Sequence, residues 1–399
     1  MDQPQRALSN EELDRLAADF DHHGQAYRDH RVQLLAHMRA KCPFAHSTQH
    51  GGYWVASDAR TVLEIARNVQ AFSNYPANVI PILETTMMIP LNSDPPELFE
   101  YRSILLPLFA PQKMKEEASE IRATAHRLID AIVARGEGDI VADFAQPLTG
   151  ITTLRLLGID PAEWVEYAHP LHELVYSSRT IDERRADMAV MIERMRAEIR
   201  RQITEPKGGI IEYLHNVEMM GRRLTIDEID SIVLIMLGGG LDTAQALVGS
   251  AAVYLGRNPD RRQELIDEPE LMEGAVEEFL RLFAPTQGSA RRATKDVMVG
   301  DRLVKEGEFV FMSWVGANYD PDDTEDPERV DFRRPGNRNF SFGIGPHRCL
   351  GSHLARWEII ACLEALLAKA PNYRLVEERV ALAADVGTVS GYRTVAIRP

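Results

Sequence analysis

Apolar residues recur at helical spacing along most of this chain and alternate strictly with polar ones only in short stretches, so the pattern predicts a mainly α protein with a small β region. Helix is predicted over 31–40 and 58–69, and it dominates from about 97 to 281, with Pro and Gly punctuation near 111, 136–138, 161, 170 and 206–209. The longest element covers 226–255. Thr225 and Glu228 offer a capping box at its start, and Gly256 with Pro259 is expected to close it. About 30 residues at ~1.5 Å each reach roughly 45 Å, enough to cross the whole molecule. Residues 51–57 read as a turn and short strand, and 297–313 and 373–398 read as strands. The segment 1–30 is polar and expected to be partly irregular. The segment 73–97, rich in Pro, Asn and Met, reads as a long irregular connection of the kind that covers functional sites. No hydrophilic linker divides the chain, so 1–399 is expected to be one domain.

Composition narrows the class. Of 399 residues, 45% are apolar and 26% charged, which suits a globular protein with ample core. A net charge of −15 argues against nucleic acid as a partner, since binding would need a basic face. Three cysteines without paired spacing argue against a disulfide framework and for a reducing, cytoplasmic setting. The first thirty residues hold no apolar run of signal-peptide or membrane-anchor length.

One stretch carries the chemistry: Phe342-Gly343-Ile344-Gly345-Pro346-His347-Arg348-Cys349-Leu350-Gly351. A single cysteine among glycines, followed by an apolar helical run, suits the presentation of a lone thiolate to a large flat ligand, because glycine permits the tight turns that aim backbone N–H groups at sulfur. Haem iron with an axial thiolate fits that description. A zinc site using Cys349, His347 and His353 is the alternative, though no second cysteine stands at ligand spacing; a buried structural cysteine is another. In the central helix, Gly238-Gly239-Gly240 precedes Asp242 and Thr243. Three helix-interior glycines cost about 1 kcal/mol each, which either a flat ligand lying against the helix or a crossing helix would justify. Glu278 and Arg281, at i,i+3, can pair on one helix face.

Together these segments resemble the cytochrome P450 family, of the soluble bacterial type, with a central helix similar to that of camphor hydroxylase. The resemblance covers nearly the whole chain. It implies the cytochrome P450 fold and haem b (iron protoporphyrin IX) as cofactor, with Cys349 as the iron ligand and Phe342, Gly351 and Gly239 against the macrocycle. It implies that Arg102, Arg291 and His347 hold the propionates; many members place His or Trp where this chain has Leu98, so one donor fewer is expected there. It implies a buried structural network of Glu278, Arg281 and Arg334, the last preferred to Arg333. Thr243 would hydrogen-bond oxygen and Asp242 would relay protons.

The implied activity is a monooxygenase that uses O2 to hydroxylate a small hydrophobic substrate, with electrons from an external ferredoxin and its reductase. A peroxide-driven hydroxylase and a non-catalytic haem sensor are the alternatives; the Asp242–Thr243 pair argues against both. Arg329, Arg333, Arg334, Arg338, Arg348 and Arg356, extended by Arg102, Lys113 and Lys115, read as a basic patch for an acidic partner on the Cys349 side. By position, the substrate pocket is expected from Tyr75, Leu83, Met87, Met88, Ile235, Gly238, Thr286, Gln287 and Val389, a mostly apolar set.

Overall fold

The computed structural model describes residues 6–76, 78–82, 87–176 and 180–399. Its axis is the helix Ile226–Arg257. Thr225 accepts from the Glu228 amide, and the Glu228 carboxylate accepts from the Thr225 amide at 2.7 Å, which closes the capping box. The helix passes through Gly238–Gly240 without a break. Leu237 and Leu241 are buried on either side of the run, and this packing offsets the low propensity of glycine. Gly256 lies inside the helix, not at its end, because a Cβ there would stand 2.8 Å from Leu375 of the adjoining strand; Pro259 opens the next helix instead. Among the described residues this is the one helix long and apolar enough to cross a membrane, and most of that stretch is buried inside the protein.

Around it pack Pro111–Arg135, Gln146–Leu157, Trp164–Tyr176 and Ile181–Thr204, together with Ser352–Lys369, which runs from the cysteine loop along Pro111–Arg135. Met191 and Met195 are core residues. The N-terminal segment is more ordered than its polarity suggested. Ser9 and Glu12 form a capping box for Asn10–Ala18, and a second helix begins at Gln25 rather than 31 and continues to Lys41. Leu13 and Tyr27 anchor the two helices in a satellite core.

The β region is small. A five-stranded sheet runs in the order Phe44–Ser47, Tyr53–Ala56, Phe309–Ser313, Gly288–Ala293 and Phe72–Ser73, and a three-stranded sheet joins Arg374–Leu382, Tyr392–Arg398 and Gly138–Asp139. The first sheet carries Arg291 opposite Val310 of the neighbouring strand.

The helix Met272–Phe283 carries Glu278 and Arg281, both fully buried and bound twice to each other at 2.9 Å. Arg281 donates onward to the carbonyls of Asn318 and Pro327, while Glu278 accepts from the Asp331 amide and from Asn337. Arg334 Nε stands 3.4 Å from Glu278, close enough for charge but not aligned as a hydrogen bond; its Nη groups bind the carbonyls of Glu325, Asp326 and Arg329. Arg333 turns outward to Glu264 and Glu268. The network staples the segment before the cysteine loop to the helical core. Replacing Arg281 by Met leaves the buried Glu278 with only the Arg334 charge at 3.4 Å, so a loss of about 3 kcal/mol is expected in chemical denaturation; a loss under about 1 kcal/mol would make the pair dispensable.

Candidate active site

The cysteine loop is shaped by its backbone. Gly345 has φ +76°, and a Cβ there would lie 2.7 Å from the Ala66 carbonyl, so neither the turn nor the approach tolerates a side chain. The Cys349 amide donates to the Phe342 carbonyl at 2.8 Å, which closes the loop. Gly351, at the start of Ser352–Lys369, turns its N–H toward the sulfur, and a Cβ on it would sit 4.0 Å away. Arg356 lies 4.6 Å over the Phe342 ring and pairs with Glu277, which fixes the loop's outer side.

The thiol opens into a cavity of ≈ 360 Å³ between this loop and the central helix. Cys349 is deep in the protein, yet its side chain is accessible from that cavity; Cys362 is buried in the core and Cys42 is half-buried elsewhere. Burial pushes the Cys349 thiol up, while the Gly351 N–H and the charges of Arg102, Arg348 and Arg356 pull it down. Phe342, Gly351, Gly239, Thr243, Arg102, Arg291 and His347 all line the same space. No cluster of three His, Cys, Asp or Glu able to hold a bare metal ion occurs among the described residues, so the zinc alternative has no ligand set.

Cations gather at one end. Arg291 is 3% exposed and donates to Ser289 Oγ and the Ala290 carbonyl, and burial lowers it to about 10. Arg102 is partly buried and likewise lowered by burial. Among the described residues neither has a carboxylate within ion-pair distance, nor has Arg348. His347 is driven down to about 3 by burial and by Arg291 and Arg102, so it is neutral; its Nδ1 accepts from Asn74 Nδ2 at 3.2 Å, which leaves the proton on Nε2. Two guanidinium groups without a carboxylate in ion-pair distance and a neutral imidazole donor beside a largely apolar chamber favour an anionic ligand, and the two propionates of a haem match them in charge and hydrogen bonding.

Thr243 Oγ1 donates to the Gly239 carbonyl at 3.1 Å and lines the cavity. Asp242 does not line it. Its carboxylate is buried behind the helix, where Oδ1 accepts from Gln245 Nε2 at 2.6 Å and lies 3.3 Å from His172 Nδ1. Burial raises the Asp242 carboxyl, and His172 opposes the rise.

The family model for cytochrome P450 matches residues 176–370. The probable cytochrome P450 127A1 of Sinorhizobium fredii is 32% identical over 82% of this chain and 78% of its own length. The steroid C26-monooxygenase of Mycobacterium tuberculosis is 29% identical over 86% of this chain and 92% of its own. This chain belongs to the cytochrome P450 family. Among solved structures, cytochrome P450 CYP109Q5 from Chondromyces apiculatus superposes with a TM-score of 0.86 over 96% of this chain and 98% of that one, at 23% identity, so the fold is the P450 fold. Members are monooxygenases that bind haem b through a cysteine thiolate and use O2 and a redox partner.

Within this P450 the expected substrate set separates. Ile235 and Thr286 line the cavity. Gln287 does not: it is fully buried on the opposite side of the strand entry, where Nε2 donates to the Ala284 carbonyl and Oε1 accepts from Tyr27. Neighbouring residues in extended backbone point to opposite faces, so Thr286 and Gln287 cannot both face the ligand. Val389 bridges to Thr286 and is buried in the satellite core. Tyr75 and Met87 are exposed in a separate outer groove with Asp94, Tyr101 and Arg292. Met88 is half-buried off the cavity, and Leu83 lies outside the described residues. Gly238 is not a lining residue, although a Cβ there would meet nothing within 4 Å.

Sequence reasoning missed Asn74, which orients His347, and the pair His172 and Gln245 around Asp242; no local motif marks residues that act across helices. It also missed Glu358, buried against the cavity, raised well above the usual carboxyl range by burial and with Oε1 unpartnered. Replacing Arg291 by Met is expected to leave the fold intact and to speed haem transfer to apomyoglobin by tenfold or more, since a charge-assisted hydrogen bond to carboxylate contributes about 1.5–3 kcal/mol; an unchanged transfer rate removes Arg291 from haem anchoring.

Proposed function

We propose that this chain is, over its whole length, one haem-thiolate unit in the cytoplasm that hydroxylates a small hydrophobic molecule, with Cys349 as the iron ligand and a small acidic ferredoxin as the electron donor. The observation that carries the reading is the joint facing of one thiol and two guanidinium groups, neither with a carboxylate of the described residues in ion-pair distance, into a single chamber. Bound haem supplies the oxygen-cleaving chemistry, which a thiolate ligand favours. The chain supplies orientation, shielding and protons.

Thr243 commits its hydroxyl proton to the Gly239 carbonyl, so Oγ1 is left to accept a hydrogen bond from the chamber. Burial raises the Asp242 carboxyl, one residue away, so it takes up a proton more readily than an exposed carboxylate, and the partly exposed His172 lies beside it. Rotation of the Asp242 side chain would carry that proton from the His172–Gln245 side to the Thr243 side. The Thr286 hydroxyl offers one orienting contact on an otherwise apolar wall that includes Ile235, Leu105 and Phe109. Replacing Thr243 by Ala is expected to retain haem and substrate binding but to lower product formed per electron pair several-fold. Replacing Asp242 by Asn is expected to slow turnover by roughly 10²-fold, the scale of one general-acid contribution. Full coupling in the first variant and full rate in the second would contradict the assigned roles.

The donor surface is narrower than the arginine-rich sequence implied. Arg329 pairs with Asp331, Arg333 with Glu264 and Glu268, Arg334 with Glu278, Arg338 with Asp323 and Arg356 with Glu277. These pairs neutralise most of the supposed patch. Arg348 beside the thiol remains, with Lys115 and the weakly paired Lys113 on Pro111–Arg135 and the exposed Leu106. Charge reversal at Arg348 is expected to slow reduction by an acidic ferredoxin about tenfold at low salt and to have little effect at high salt. Equal rates at low salt would move the docking site elsewhere.

A further inference from the structure

A second group of ionisable side chains lies apart from the iron site, where the loop between the first two helices meets two distant segments. His23 Nε2 stands 2.8 Å from the Ile80 carbonyl oxygen. His23 Nδ1 stands 2.9 Å from both carboxylate oxygens of Asp385. A carbonyl and an ionised carboxylate only accept, so both ring nitrogens must donate and the ring in this arrangement is an imidazolium. The 385–387 turn is built tightly onto it: Asp385 also accepts from the Gly387 amide at 2.8 Å, and a Cβ on Gly387 would stand 2.6 Å from His23 Nδ1 and 2.7 Å from the His22 carbonyl oxygen.

Both segments that His23 grips lead to the chamber. Ile80 is two residues from Asn78, which lines the cavity and whose carbonyl accepts from the Ala290 amide at 2.6 Å. The turn continues into 388–390, where Thr388 accepts from the Gln287 amide and Ser390 donates to the Pro285 carbonyl at 2.7 Å; Pro285 and Thr286 are lining residues on the other side. One side chain therefore joins two walls that the chain otherwise brings together from 300 positions apart.

We propose that His23 is a positioning residue that clasps the 78–81 segment to the 385–387 turn and so sets how closely the two walls of the chamber meet, closed while the imidazole carries both protons. The surrounding charges favour the doubly protonated ring. Burial works against the charge on His23, but Asp385, the Ile80 carbonyl and Asp21 outweigh it and raise the ring above the ordinary histidine value. Asp21 binds the His23 amide at 2.9 Å and His50 Nε2 at 2.9 Å. His22 stands 4.3 Å from the His23 ring, faces the Tyr53 hydroxyl, and is driven down to about 3 chiefly by burial, so it stays neutral and leaves His23 as the cation. Because the closed form raises the histidine, its stabilisation is complete below the ordinary value of about 6.5 and is lost as pH rises through the elevated one.

That the clasp guards a substrate chamber rests on the function proposed above, whereas its existence can be tested without that function. Amide hydrogen exchange of the haem-loaded full-length protein, corrected for the intrinsic pH dependence of exchange, reads the two segments directly. Protection of residues 78–82 and 385–391 is expected to fall on the order of tenfold between pH 6 and pH 9. His23→Gln keeps one donor without a titrating charge, and its protection should be low and flat across that range. Asp385→Asn removes the anion and should move the transition to lower pH. A flat wild-type profile, or a His23→Gln profile that matches wild type, overturns the proposal. Should His23→Gln fail to fold, the wild-type profile and the direction of the Asp385→Asn shift decide it.

Discussion

Arg102 and Arg291 present positive charge to a largely apolar chamber with no carboxylate of the described residues within ion-pair distance; Asp94 acts on Arg291 only from further away. Burying such a group without a counter-charge is among the costliest things a protein can do. The cost is recovered only if the missing negative charge arrives with a ligand, and that ligand must also fill an apolar space and meet a thiol at its far face. The rest of the site follows from this constraint. His347 must stay neutral because two cations already flank it, and Asn74 then sets which of its nitrogens carries the proton.

Rigidity around the thiol comes from elsewhere. The buried Glu278–Arg281 pair does not touch the cavity, but it binds the carbonyls and amides of the 318–337 segment, and that segment delivers the chain to the cysteine loop. The loop's own glycines permit its path without holding it; the stapled segment on one side and Ser352–Lys369 on the other do the holding. The opposite wall is the central helix, where the glycine run leaves room and Thr243 faces in while Asp242 faces out. One surface of a single helix thus lines the chamber while the other holds the Asp242 carboxyl among His172 and Gln245. Arginines that in the sequence read as a steering field mostly serve local carboxylates, and Arg348 beside the thiol is left without one in ion-pair distance among the described residues.

Much was legible before any coordinate. A cysteine among glycines, an acid beside a hydroxyl after a glycine run, and Glu and Arg one helical turn apart are local patterns, and local spacing determines which side chains share a turn or a face. The capping box at Thr225 marked the start of the central helix for the same reason. The box at Ser9 is equally local and opens a helix inside a segment whose polarity masks it.

What the sequence could not decide is what lies opposite. Periodicity says that Thr286 and Gln287 point apart, but not which of them meets the ligand; that depends on Tyr27 reaching Gln287 from 260 residues away. Tyr75 and Met87 have the right chemistry for a pocket, and the path of the chain sets them in an outer groove instead. The partners of Asp242, of His347 and of His23 come from remote segments whose approach is set by packing of the whole core. The sequence by itself determined the family, the thiol and the helix that faces it, because these are written in contiguous residues. The tertiary structure alone decided which charges remain unpaired and which loops are joined, because pairing is a property of distance in space.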